Sequence, residues 1–204
     1  MKLAQIKPIK DSVLVFVHIK KTGGISLHTM LNSQFSGKFF SSPVRVTGSM
    51  KKPPKIMKSK DMLDVVKNGE CVAQHWNLSE FDQLADRANF ITTIRLPEKR
   101  IVSHYNFFRK HHPRGFSFSE YIKIPNNVNV MSSMIREPDK FCEIYVFERM
   151  GRSLHNSKIL RKTKIPNLNK TPYVYYPTDD EIKRFVELNQ KDIELYSILC
   201  KVAC

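Results

Sequence analysis

The stretch Val13 to Gly24, VLVFVHIKKTGG, decides the fold. Its first half, Val13 to His18, is an unbroken apolar run rich in β-branched residues, closed by one histidine. Such a run, without polar alternation, predicts a strand buried on both faces inside a parallel sheet. Its second half, Lys20 to Gly24, is a turn of two lysines, a threonine and two glycines. From there Ile25, Leu27, Met30 and Leu31 recur at helical spacing. The chain therefore opens as strand, glycine turn, helix.

That unit has a chemical meaning. A glycine turn opening a helix aims several backbone N–H groups at one point, where the helix dipole favours negative charge. Gly23 and Gly24 let the backbone approach a ligand closely. Lys21 adds a mobile cation, and Thr22 and Ser26 add hydroxyl donors. The spacing is not that of the nucleoside-triphosphate loop, G-x-x-x-x-G-K-[ST], because here the lysine precedes the glycines. No expected strand ends in an aspartate suited to magnesium. The expected site is cationic and metal-free.

Further along, Glu70 to Trp76 (ECVAQHW) predicts a second strand and Ser79 to Ala88 a helix with Ser79 as its N-cap. Asn89 to Ile94 predicts a third strand that runs into Arg95, and Pro97 opens a helix reaching Lys110. On that helix Ile101, Val102, Tyr105 and Phe108 are the core side; Arg100, Ser103 and Phe107 fall on the other. Phe116 to Ile124 and Val128 to Ile135 predict short helices, and Glu143 to Phe147 a fourth strand. Lys38 to Lys60 reads as irregular, with a short strand at Val44 to Thr47; Lys60 to Lys67 reads as helical. Lys164 to Pro177 reads as loop. Thr178 to Glu181 is a capping box that starts one last helix running to Leu199. Alternating strands and helices predict an α/β fold: three layers, with a central, mainly parallel sheet flanked by helices.

The 204 residues are expected to form a single domain, 1–204, with 1–11 as a flexible N-terminal tail. No apolar run approaches the roughly 18–20 residues of a membrane span, and no secretory signal is seen, so a cytoplasmic protein is expected. Cys71, Cys142, Cys200 and Cys204 form no C-x-x-C pair and are read as free thiols. The net charge of +15 favours anionic partners. Lys51, Lys52, Lys55, Lys58 and Lys60 form the densest basic stretch; it suits a solvated loop as well as a groove for an acidic partner.

Three blocks carry a resemblance. Phe16 to Leu27, FVHIKKTGGISL, resembles the 5′-phosphosulfate-binding loop of the sulfotransferases that use PAPS (3′-phosphoadenosine-5′-phosphosulfate). The closest group includes the heparan sulfate 2-O- and 6-O-sulfotransferases. The family pattern, F-x-H-x-P-K-T-G-G-T-S-L, is departed from at Lys20 and Ile25; Ile25 keeps its backbone N–H. Phe90 to Phe108, FITTIRLPEKRIVSHYNFF, is similar to the family's 3′-phosphate site, R-x-P-x-x-R-x-x-S-x-Y, with Leu96 where an aspartate is common. Asn167 to Leu199 resembles the family's closing segment, which ends D-I-E-L-Y.

The resemblance implies a sulfotransferase of P-loop-like fold that binds PAPS, releases PAP (3′,5′-bisphosphoadenosine) and needs no metal. It implies that Lys21, Thr22, Gly23, Gly24, Ile25 and Ser26 bind the 5′ end of the donor, and Arg95 and Ser103 its 3′-phosphate. Lys170 is implied as a further donor contact. Lys21 would stabilise the leaving group, and His75, at the end of the second strand, would be the general base. His18 reads as a support for the loop, and His104, His111 and His112 as an exposed basic rim. The acceptor is expected to be a hydroxyl compound, a glycan by resemblance and acidic by charge, with no specific nucleic acid and no transmembrane segment. A truncated catalytic domain would instead belong in the Golgi lumen. Two other readings stay open from the sequence: a P-loop-type small-molecule kinase, and a non-enzymatic basic protein that binds nucleic acid.

Overall fold

A computed structural model describes residues 1–41, 55–56, 63–160 and 172–203, with 55–56 described by backbone alone. Among these, six parallel strands form one sheet: β1 (Val13–Val17), β2 (Phe39–Ser41), β3 (Lys55–Ile56), β4 (Cys71–Gln74), β5 (Ala88–Ile94) and β6 (Phe141–Val146). The helices are α1 (Gly24–Gln34), α2 (Pro97–His111), α3 (Phe118–Tyr121), α4 (Val130–Ile135), α5 (Met150–Asn156), α6 (Asp179–Leu188) and α7 (Gln190–Val202). The strand order is β3-β2-β4-β1-β5-β6. β1 lies between β4, with Leu14 opposite Cys71, and β5, with Val13 opposite Ala88.

Every residue of β1 is buried, as its continuous apolar run requires. Alternate side chains serve the two faces. Val13, Val15 and Val17 join Val72, Ile94 and Ile144 under Phe81, Met131 and Leu199. Leu14 and Phe16 join Ala73 and Tyr145 under Leu27 and Leu31 of α1 and Leu154 of α5. Two cores on opposite faces of one sheet make three layers, the fold the alternating pattern predicts. A third cluster binds α2 to α3 and α6 through Ile101, Tyr105, Phe118, Tyr121 and Phe185. The chain leaves β1 toward β2 but leaves β5 toward β6, so the connections diverge between β1 and β5. Open α/β sheets bind ligands at such a point, beyond the carboxyl ends of the strands.

The structure differs from the sequence reading in several places. Phe39 to Ser41, read as irregular, is strand β2, paired to β4 with Phe39 opposite Cys71. The segment Leu78–Arg87 is a 3-10 helix capped by Asn77, not a helix capped by Ser79. The Asn77 N–H donates to Glu80 Oε1 at 3.1 Å, closing a capping box two residues before Ser79. The last helix is two, α6 and α7, broken at the fully buried Asn189. Asn189 spends its side chain on the Phe185 carbonyl (2.9 Å) and the Asn129 N–H (2.7 Å), which fixes the bend. Asp192, at the start of α7, then accepts the N–H groups of Met131 (3.1 Å) and Ser132 (2.8 Å) in α4. Residues 1–11, expected as a flexible tail, are instead tied to the sheet. Ala4 donates to the Phe141 carbonyl (2.9 Å), and the Lys7 N–H donates to Asn89 Oδ1 (2.9 Å). Cys71 and Cys142 are buried free thiols and Cys200 is a half-buried one. No helix among the described residues is long and apolar enough to cross a membrane. Cys204, Val44 to Thr47, and the basic stretch Lys51 to Lys60 apart from the backbone of β3 lie outside the described residues.

Candidate active site

The loop after β1 is built to leave donors free. His18 N–H bonds the Gln74 carbonyl (2.8 Å), continuing the sheet by one residue. Lys21 (φ 69°) and Gly23 (φ 89°) then take left-handed conformations and turn the chain into α1. Gly23 is the N-cap, and no side chain caps the helix. Among the described residues no carbonyl receives the N–H groups of Gly23, Gly24 or Ile25. Those unspent donors at a helix N-terminus are an anion site. Both glycines are required: a Cβ on Gly24 would overlap the His18 ring, and one on Gly23 would come 2.5 Å from the Phe147 ring.

Thr22 departs from expectation. Its hydroxyl is fully buried, donates to the Ile19 carbonyl (2.7 Å) and lies 2.6 Å from Thr93 Oγ1. It pins the loop to β5 and does not offer its hydroxyl to a ligand. Ser26 donates its N–H back to the Gly23 carbonyl at 3.2 Å.

Arg95 follows β5 and reaches across to this loop. Its Nη1 donates to the Lys21 carbonyl (3.1 Å), its Nη2 to the Tyr173 hydroxyl (3.4 Å), and its guanidinium lies 4.5 Å from the Phe147 ring centroid. Its Nε is buried without a partner. Burial, with Arg95 beside it, holds the Lys21 ammonium below the ordinary lysine range. Ser103 is buried on α2. Arg100, one turn earlier, is fully buried with Nε and one terminal nitrogen unpartnered. Arg95 and Arg100 thus hold unsatisfied donors, and the Lys21 ammonium lies beside Arg95, a setting suited to an anion with more than one charged group.

α2 also holds the segment behind Arg95. Asn106 Oδ1 accepts the N–H groups of Val174 (2.8 Å) and Tyr175 (2.9 Å), and its Nδ2 donates to the Tyr175 carbonyl (3.0 Å).

His75 lies just past β4, half-buried, with Nδ1 2.6 Å from the His18 carbonyl. A carbonyl only accepts, so Nδ1 carries the proton and Nε2 is the basic nitrogen. Burial lowers the pKa of His75, the bond to His18 opposes this, and Lys20 lowers it further; the ring is neutral at pH 7. The His18 ring centroid lies 4.0 Å from that of His75 and 4.7 Å from that of His28, both pairs tilted, and both His18 and His28 are buried. Desolvation, then the neighbouring imidazoles, holds His18 well below its usual range and His28 down at about 3. His104 is not on an exposed rim. Its Nδ1 meets the Tyr121 hydroxyl at 3.1 Å, and burial with Arg100, Lys20 and Lys21 nearby pushes it down to about 3. His111 and His112 are exposed, as expected.

The loop from Lys21 to Ser26, Arg95 and His75 therefore gather at the carboxyl end of β1, β4 and β5, and Ser103 lies on the helix that follows β5. Lys170 lies outside the described residues. Sequence reasoning missed the aromatic contacts. Phe147 backs Arg95, and Phe107 stands 4.6 Å from Lys21 Nζ. Phe107 was legible on the Arg100–Ser103 side of α2, but an aromatic residue there gives no signal of its partner.

No family model matches the chain, and no curated protein matches it. Among solved structures it is similar to a sulfotransferase from Alicyclobacillus acidocaldarius, with a TM-score of 0.55 and 12% identity over 98% of each chain. It is also similar to mouse sulfotransferase SULT7A1 complexed with PAP, with a TM-score of 0.47 and 15% identity over 99% of this chain and 91% of that one. The first of these is a likeness of fold.

Proposed function

We propose that this chain is a sulfotransferase that moves a sulfuryl group from PAPS to an acceptor hydroxyl, on a carbohydrate that is acidic. The observation that carries the reading is the uncapped N-terminus of α1 with the Lys21 ammonium and the Arg95 guanidinium beside it. A helix start with free N–H groups on Gly23, Gly24 and Ile25 suits the 5′ end of the donor, with Ser26 as a further contact. Arg95, whose Nε is buried and unpartnered, suits the 3′-phosphate with Ser103, with Lys170 as a further contact. Thr22 serves by holding the loop to β5 rather than by its hydroxyl. When bound, PAPS supplies the sulfuryl group: a bond forms from the acceptor oxygen to sulfur, the bond from sulfur to the 5′-phosphate oxygen breaks, and PAP leaves.

The residues divide the remaining work. His75 Nε2, kept basic by the Nδ1 bond to His18, accepts the acceptor's proton. Lys21, positively charged, stabilises the negative charge that grows on the leaving oxygen and keeps its own protons. The acidic carbohydrate acceptor is supported by the net charge of +15, which steers anions toward the protein. The test is a screen of acidic glycans, neutral glycans and simple alcohols with radiolabelled PAPS, alongside a thermal-shift titration with PAP. A PAP-dependent rise in melting temperature and label transfer to an acidic glycan are expected. Absence of any PAP effect would remove the donor assignment.

A further inference from the structure

Lys21 has a part in the proposed transfer, yet four methylenes separate its ammonium from the backbone. A chain of that kind is disordered in water unless something holds it. No carboxylate among the described residues forms an ion pair with it. What lies against it is an aromatic ring: Nζ stands 4.6 Å from the Phe107 centroid, inside the roughly 6 Å reach of cation–π attraction. The other end of the residue is held as well, by a left-handed φ of 69° and the Arg95 bond to its carbonyl.

Phe107 is not a core residue. It is 45% exposed, while Ile101 and Tyr105 on the opposite side of α2 are buried in the third core cluster. Its ring is itself braced, edge to face, by the His111 imidazole at 4.8 Å. It also stands on the side of α2 that carries Ser103 and Arg100.

We propose that Phe107 is the positioning residue for Lys21: its ring face parks the ammonium at the mouth of the α1 loop, ready for the charge that develops there. This deepens the sulfotransferase reading and rests on it. Cation–π attraction suits the task because it is graded. It orders a flexible amine, yet it yields to a phosphate oxygen carrying formal charge. Phe107 makes and breaks no bond. The acceptor's proton still goes to His75, and Lys21 remains an ammonium throughout.

The test compares Phe107→Leu, which keeps an apolar side chain, with Phe107→Tyr, which keeps the ring. In the ligand-free protein, proton NMR should find the Lys21 Hε resonances shifted upfield by the ring current. The shift should persist in Phe107→Tyr and vanish in Phe107→Leu. In turnover, Phe107→Leu should lower kcat about tenfold, or ~1.4 kcal/mol, with the PAP Kd unchanged, and Phe107→Tyr should restore it. Lys21 resonances at ordinary positions in the wild type, or a Phe107→Leu protein with full kcat, would overturn the proposal. If the wild type binds no PAP, it is the functional reading that fails. The ring-current shift then decides on its own whether Phe107 holds Lys21.

Discussion

Lys21 carries its charge on a backbone that a lysine seldom adopts. Its φ of 69° costs a side chain with a Cβ roughly 1–2 kcal/mol, and the Arg95 bond to its carbonyl helps to hold it. A residue retained at that cost, beside free helix donors, is expected to act through its amine. Lys21→Ala should therefore lower turnover by at least ~10²-fold, while the circular dichroism spectrum and melting curve stay as in the wild type; normal turnover would remove Lys21 from the chemistry. His75 makes a different forecast. Its Nε2 must be unprotonated to accept a proton, and burial sets its pKa below the ordinary histidine value. The log of kcat/KM should thus be flat at pH 7 and fall only on the acid side of about 6.5. His75→Ala should lower kcat by roughly 10²–10⁴, leave PAP affinity intact and abolish that acid limb. A limb that survives the substitution belongs to another group.

At the scale of elements, the opening strand, turn and helix were the most legible part of the chain. The run from Val13 to Val17 is apolar throughout and rich in β-branched residues, and the KKTGG turn bounds it, which together read as a buried strand. β2 was not legible, because three residues, Phe39 to Ser41, are too few to show a period. The bend at Asn189 was hidden for the opposite reason: the helical pattern continues through it, and the break comes from a tertiary bond to Asn129. The same limit hid the role of Thr22, whose partner Thr93 is 71 positions away. Among the candidate site residues, Lys21, Arg95 and His75 could be placed at the sheet's carboxyl edge because each sits at the end of an expected strand or in its turn. The aromatic partners could not, since Phe107 and Phe147 read as ordinary apolar positions. The junction of β1 and α1 makes its own forecast. A Cβ at Gly24 would overlap the His18 ring in a packed region. Gly24→Ala should cost roughly 1–3 kcal/mol in urea denaturation, although alanine is the better helix former. A stabilised Gly24→Ala protein would mean that His18 moves aside freely.

At the scale of the whole molecule, stability should fall in acid. His18 and His28 are buried as neutral rings, with His75 and Lys20 as their charged or chargeable neighbours. Their folded-state pKa values lie below the unfolded value, His28 at about 3. Above the unfolded pKa, near 6.5, both states are neutral and nothing is lost. Below it the unfolded chain binds protons that the folded one refuses, so stability falls as pH falls. Each such ring costs ~1.4 kcal/mol per pH unit in that window. Urea denaturation at pH 7 and pH 5 should show a fall that is about 2 kcal/mol smaller in His28→Leu than in the wild type. An equal fall in both would show that His28 is protonated, or exposed, in the folded protein.

α2 is also the strut on which the back of the site hangs. One amide side chain, that of Asn106, clasps Val174 and Tyr175 as a neighbouring strand would. Tyr173, which touches Arg95, is the next residue along. Any exchange of the stretch 173–175 for that of a related protein must therefore reproduce the Asn106 clasp if the wall behind Arg95 is to stay in register.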